Sequence, residues 1–159
     1  MAGGAQRPDG AGSGPRRTGT PIGLPAPEEL SGQPWVGEAA VEVLRVLTGW
    51  IRERCAPFTP LSLFLGGSAV HGELCGIADP AGARWFLSDL DLGLVTERLV
   101  PPREQAVIRE EAIRLPGEGP AVTIGFYTPD RLAGQDPTLG MVETARCGFR
   151  LEGALDPFR

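Results

Sequence analysis

Lysine is absent from this chain: all 15 basic residues are arginine, against 20 acidic ones, for a formal charge of −5. An acidic chain with no basic cluster in its foldable part argues against a nucleic-acid partner, because duplex binding rests on neutralising phosphates. Histidine occurs once, at His71, which excludes a His-rich metal centre. The 3 cysteines, Cys55, Cys75 and Cys147, are far apart and form no Cys-x-x-Cys. They read as reduced thiols of a cytoplasmic protein, not as a disulfide frame or a zinc site. No apolar run approaches the roughly 20 residues of a membrane span.

What is present is enough for one domain: 159 residues, of which 42% are hydrophobic. Residues 1–34 hold 8 Gly and 6 Pro and no large apolar residue between Met1 and Ile22. Such a stretch buries too little surface to offset its ordering entropy, so it is expected to be a disordered leader. Arg16-Arg17 is followed by no apolar segment, which excludes a signal peptide. A folded domain is expected over 35–155, with 156–159 as a tail.

Within that domain Val36, Ala40, Val43, Leu47, Trp50 and Ile51 recur at steps of three and four, predicting an amphipathic helix that Pro57 and Pro60 end. A strand over 62–65 then opens into Gly66-Gly67, followed by a short helix over 68–74 and a loop punctuated by Gly76, Asp79-Pro80 and Gly82. The pattern continues with a strand over 87–95, a helix from Pro101-Pro102 to Leu115, and a strand over 122–127. A helix over 139–146 and a strand over 149–151 complete it. The order α-β-α-β-α-β-α-β predicts an α/β (α+β) domain, a small mixed sheet with helices packed on it.

Two segments carry chemistry. Backbone N–H groups at a glycine turn form an anion site, Gly67 has no side chain to block a polyphosphate, and Ser68 adds a hydroxyl donor. The same Gly66-Gly67-Ser68 also suits a plain strand-to-helix turn needing positive φ. Asp89 and Asp91, two apart in the run 87–95, point to one strand face and can hold a divalent cation. Oxygen-only ligands select Mg²⁺ or Mn²⁺ over zinc. The competing reading is a strand whose polar face is simply open to water.

Taken together, the stretches 65–73 and 87–95 resemble the DNA polymerase beta-like nucleotidyltransferase superfamily. Its signature is a glycine–serine turn, a further glycine four residues on, and an Asp-x-Asp strand. Gly67, Ser68, Gly72, Asp89 and Asp91 match it, as do the strand exit 127–132 and the final strand 147–153. The resemblance covers about 36–155 and implies a nucleotidyltransferase-like fold. It implies Mg²⁺ on Asp89 and Asp91, triphosphate on Gly66, Gly67 and Ser68, and transfer of a nucleoside monophosphate from an NTP to a hydroxyl. The acceptor is a small molecule or a side chain of a partner protein. With no appended helical domain, the acceptor must be held by a partner, a second subunit of a homodimer, or the leader.

One element departs from the family pattern. The third carboxylate expected on the next strand is replaced by Thr123, which accepts a hydrogen bond but is no base near neutral pH. Losing general-base help costs roughly 10²–10⁴ in rate. Glu118 and Glu143 are candidate substitutes, although both also read as surface acids. The alternative is therefore a weakened or inactive member, a nucleotide-binding regulator or toxin–antitoxin component. The 21-position gap from Ser68 to Asp89 is long for the family, and 79–86 reads as a loop insertion. At its end Arg84 and Trp85 either meet a nucleotide or, for Trp85, pack on the sheet. His71 is read as a surface residue before a phosphate donor.

Overall fold

The computed structural model describes residues 23–134 and 139–153. Helices α1 (Pro27–Leu30) and α2 (Pro34–Arg54) precede strand β1 (Pro60–Gly66), and a 3₁₀ turn, Gly67–His71, follows it. A short ribbon, β2 (Gly76–Ala78) and β3 (Arg84–Phe86), leads to β4 (Leu90–Thr96). The chain then runs through α3 (Pro102–Arg114), β5 (Val122–Tyr127), α4 (Pro129–Ala133), α5 (Leu139–Cys147) and β6 (Phe149–Gly153).

The main sheet has the order β5-β4-β1-β6, with β4–β5 parallel and both neighbours of β1 antiparallel, so it is mixed. Alternation along the strands divides its faces. Leu63, Leu65, Leu92, Leu94, Ile124 and Phe126 share one face and join the buried side of α2, with Ala40, Leu44, Leu47 and Ile51, in a single core. Each fully buried Leu or Ile contributes about 1.5–3 kcal/mol. The stripe of α2 is thus used in packing within the chain. Arg54 at its end ties it to α3 through Glu111 at 2.8 Å and Glu104 at 3.3 Å.

On the opposite face the paired rows are Gly66, Asp91 and Thr123, then Phe64, Gly93 and Gly125. A Cβ on Gly93 would lie 2.0 Å from the Phe64 ring, and one on Gly125 2.8 Å from the Tyr127 hydroxyl. The Phe64 ring therefore occupies the space over Gly93 and the Tyr127 ring that over Gly125. Helix α5 covers the other side of the acidic row, with Thr144 Oγ1 2.6 Å from a Cβ placed on Gly66.

Three sequence expectations are corrected. First, the expected leader includes ordered chain: Leu30 is fully buried, and Ser31 Oγ donates to the Leu74 carbonyl at 2.6 Å. Gln33 clamps the Gly76 backbone both ways, accepting from its N–H at 2.8 Å and donating to its carbonyl at 3.2 Å. One leucine and two polar side chains anchor a segment whose composition alone looks unfoldable. Residues 1–22 and the tail 156–159 lie outside the described residues.

Second, 79–86 is not a bare loop. Asp79 turns a hairpin by accepting from Ala83 N–H at 2.8 Å, and Gly82 adopts φ +91. Its three-residue strands are too short to show a period of two. Third, the strand expected over 87–95 starts at Leu90, because Leu87 still pairs with Cys75 while Leu90 N–H turns to Ala121.

Candidate functional site

The carboxyl-bearing row lies where β1 ends. Gly66 pairs with Asp91 across the antiparallel ladder, and the next residue, Gly67, turns the chain at φ +64. That left-handed conformation favours glycine, and a second constraint adds to it: a Cβ on Gly67 would lie 2.0 Å from Asp91 Oδ2, so a side chain there would have to displace the carboxylate. The glycine turn and the Asp91 carboxylate are therefore in direct contact. Gly72, at φ +73, closes the 3₁₀ turn, which carries Ser68 half-buried and His71 exposed.

On the other side Thr123 pairs with Asp91 in the parallel ladder. Its Oγ1 donates to Asp89 Oδ2 at 3.1 Å. Asp89 precedes β4 and is exposed, whereas Asp91 is half-buried. Burial, and secondly the Asp89 charge, hold the Asp91 carboxyl above its ordinary range. Two acids held this way are a poor arrangement for stability alone and are relieved by a cation.

The donor set offered to such a cation is entirely oxygen: the two carboxylates, one of which accepts a hydrogen bond from Thr123 Oγ1. Among the described residues no group of three or more His, Cys, Asp or Glu side chains comes together, so Glu118 does not join the pair. The Glu143 side chain lies outside the described residues. Two carboxylates fit Mg²⁺, which commonly takes one or two from protein and completes its shell with water and substrate phosphate.

The hairpin gives a mixed outcome. Trp85 does not pack on the sheet; it is 52% exposed and sits opposite Ile77, with Leu87 exposed beyond it. The inward anchor is Trp35, missed by the sequence reading. Its ring lies 5.2 Å from Phe86, and the Arg84 guanidinium lies 5.2 Å above it. Gly76 makes room for it, since a Cβ there would come within 2.4 Å of the Trp35 ring. Ser88 accepts the Cys75 N–H at 3.2 Å and so fixes the approach to Asp89.

No family model matches this chain, and no curated protein matches it. Two solved structures are similar to it. One is a tri-AMPylated HEPN toxin of Shewanella oneidensis in complex with MNT antitoxin, at 10% identity, 71% coverage of each chain and a TM-score of 0.44. The other is a mutant of the toxin–antitoxin MntA-HpeT, at 9% identity, covering 70% of this chain and 73% of that one, with a TM-score of 0.47. No helix among the described residues is long and apolar enough to cross a membrane.

Proposed function

We propose that the chain is a magnesium-dependent nucleotidyltransferase, moving a nucleoside monophosphate from an NTP to a hydroxyl. The observation that carries this reading is the contact between Asp91 and Gly67, which brings a carboxylate to within 2.0 Å of the position a Cβ would take. A glycine turn open to phosphate and a carboxylate pair open to a cation thus share the end of the sheet where β1 finishes and β4 begins. Gly66, Gly67 and Ser68 are the residues for the triphosphate, and Asp89 and Asp91 for Mg²⁺. When bound, the cation neutralises charge developing on the transferring phosphoryl group.

Calorimetric titration of Mg-NTPs tests this. The parent chain is expected to bind at least one of the four common nucleotides, and Asp89→Ala to weaken that binding tenfold or more, as loss of a ligating charge worth about 1.4 kcal/mol or more requires. Unchanged affinity in Asp89→Ala overturns it.

A second reading is favoured by one observation: only two carboxylates meet among the described residues, and Thr123 stands beside them. In that reading the chain binds nucleotide as a weakened enzyme or regulatory module of a two-component pair. Thr123→Asp separates the two. A gain of pyrophosphate release in that variant points to a weakened enzyme, and nucleotide binding without any gain points to a regulatory module.

A further inference from the structure

We propose that Thr123 is itself an acceptor, so that the chain places a nucleoside monophosphate on its own Thr123 Oγ1. The inference rests on the nucleotide reading above and names the hydroxyl that site would modify first.

Three observations converge on this residue. Position comes first: Thr123 and Gly66 flank Asp91 from opposite sides in the ladder. Neighbouring strands lie about 4.8 Å apart, so a triphosphate starting at the glycine turn and crossing above Asp91 brings its α-phosphorus toward β5. Second is orientation. Oγ1 donates its proton to Asp89 Oδ2 at 3.1 Å. That bond points the hydrogen at the carboxylate and leaves the oxygen lone pairs directed away from it, as in other nucleophilic hydroxyls held by a carboxylate. Third is access. Thr123 is exposed between buried Val122 and Ile124, so an adduct has room and water reaches the oxygen.

The step balances without a further reagent. A bond forms between Thr123 Oγ1 and the α-phosphorus of the NTP. The bond from that phosphorus to the oxygen bridging to the β-phosphate breaks, and pyrophosphate leaves with the electron pair. The hydroxyl proton leaves along its hydrogen bond to Asp89 Oδ2 and passes from that exposed carboxylate to solvent water.

Among the described residues Tyr127 offers a rival hydroxyl on this face. Tyr127 lies two residues beyond Gly125, with its hydroxyl 2.8 Å from where a Gly125 Cβ would be. The structure gives it no carboxylate partner among the described residues comparable to Asp89.

The test uses the full chain incubated with each NTP and Mg²⁺ or Mn²⁺, read by intact mass and peptide fragmentation, with nucleotide binding measured in parallel by calorimetry. The expected result is one nucleoside monophosphate on the peptide containing Thr123. It is absent in Thr123→Val, which still binds nucleotide, restored in Thr123→Ser, and kept in Tyr127→Phe. A parent chain that binds nucleotide and stays unmodified overturns the proposal. So does an adduct that survives Thr123→Val or maps to Tyr127. A parent chain that binds no nucleotide overturns the proposed function together with this inference.

Discussion

At the scale of single residues, two positions at the acidic row make opposing demands. Gly67 combines φ +64 with a carboxylate oxygen where a Cβ would sit. Gly67→Ala is expected to destabilise the fold by roughly 1–3 kcal/mol through backbone strain and the clash. It should also displace Asp91 and weaken nucleotide binding, which calorimetry and thermal melting read separately. Asp91 behaves in the reverse sense. Its carboxyl is held above the ordinary range by burial and by Asp89. A carboxyl raised on folding adds stability only while protonated. The contribution is complete below about pH 4, the unfolded value, and is lost as pH rises through the folded value. Asp91→Asn is therefore expected to melt above the parent at neutral pH, with the gap closing on approach to about pH 4. Melting curves that coincide at neutral pH would show that the acidic row carries no such strain.

Among elements, the hairpin of β2 and β3 stands against the domain on Trp35. Phe86, Arg84 and Gly76 all contact that indole, while Ile77 and Trp85 face outward. Truncating a fully buried aromatic costs about 3–5 kcal/mol, and Trp35, which keeps some exposure, should cost about 2–3 in Trp35→Ala. Amides of 76–78 and 84–86 are expected to exchange hydrogen faster in that variant, while those of β1 and β4 keep their protection. Equal loss of protection in all four strands would mean that the hairpin is not a separately anchored unit.

For the molecule as a whole, the thiol of Cys55 reports on the core. Cys55 is fully buried where α2 ends, and burial pushes its thiol up to about 11, with Glu111 adding to the rise and Arg54 opposing it. A group raised on folding contributes stability that is present below its unfolded value, about 8.5 for a thiol, and lost as pH climbs through about 11. The urea midpoint of the parent is expected to fall between pH about 8 and about 10.5 by more than that of Cys55→Ala. Parallel declines would assign the loss to other groups. At pH about 8 the exposed Cys75 should react with a thiol reagent in the folded protein and Cys55 only after unfolding.

Much of this organisation is legible from residues alone. The period of α2, the strand 122–127, the proline start of α3 and the glycine turn after β1 follow from local rules that operate within a few residues. Local rules also determine that Asp89 and Asp91 sit near one strand. They cannot determine that residues 23–34 belong to the domain, because Leu30, Ser31 and Gln33 are held by partners about 43 positions away. Nor do they give Trp35 its hairpin or Thr123 its bond to Asp89. Those pairings depend on strand order and register, which a sheet acquires only when distant segments close on one another. Sequence spacing decided which side chains were available, and the ladder decided which of them meet.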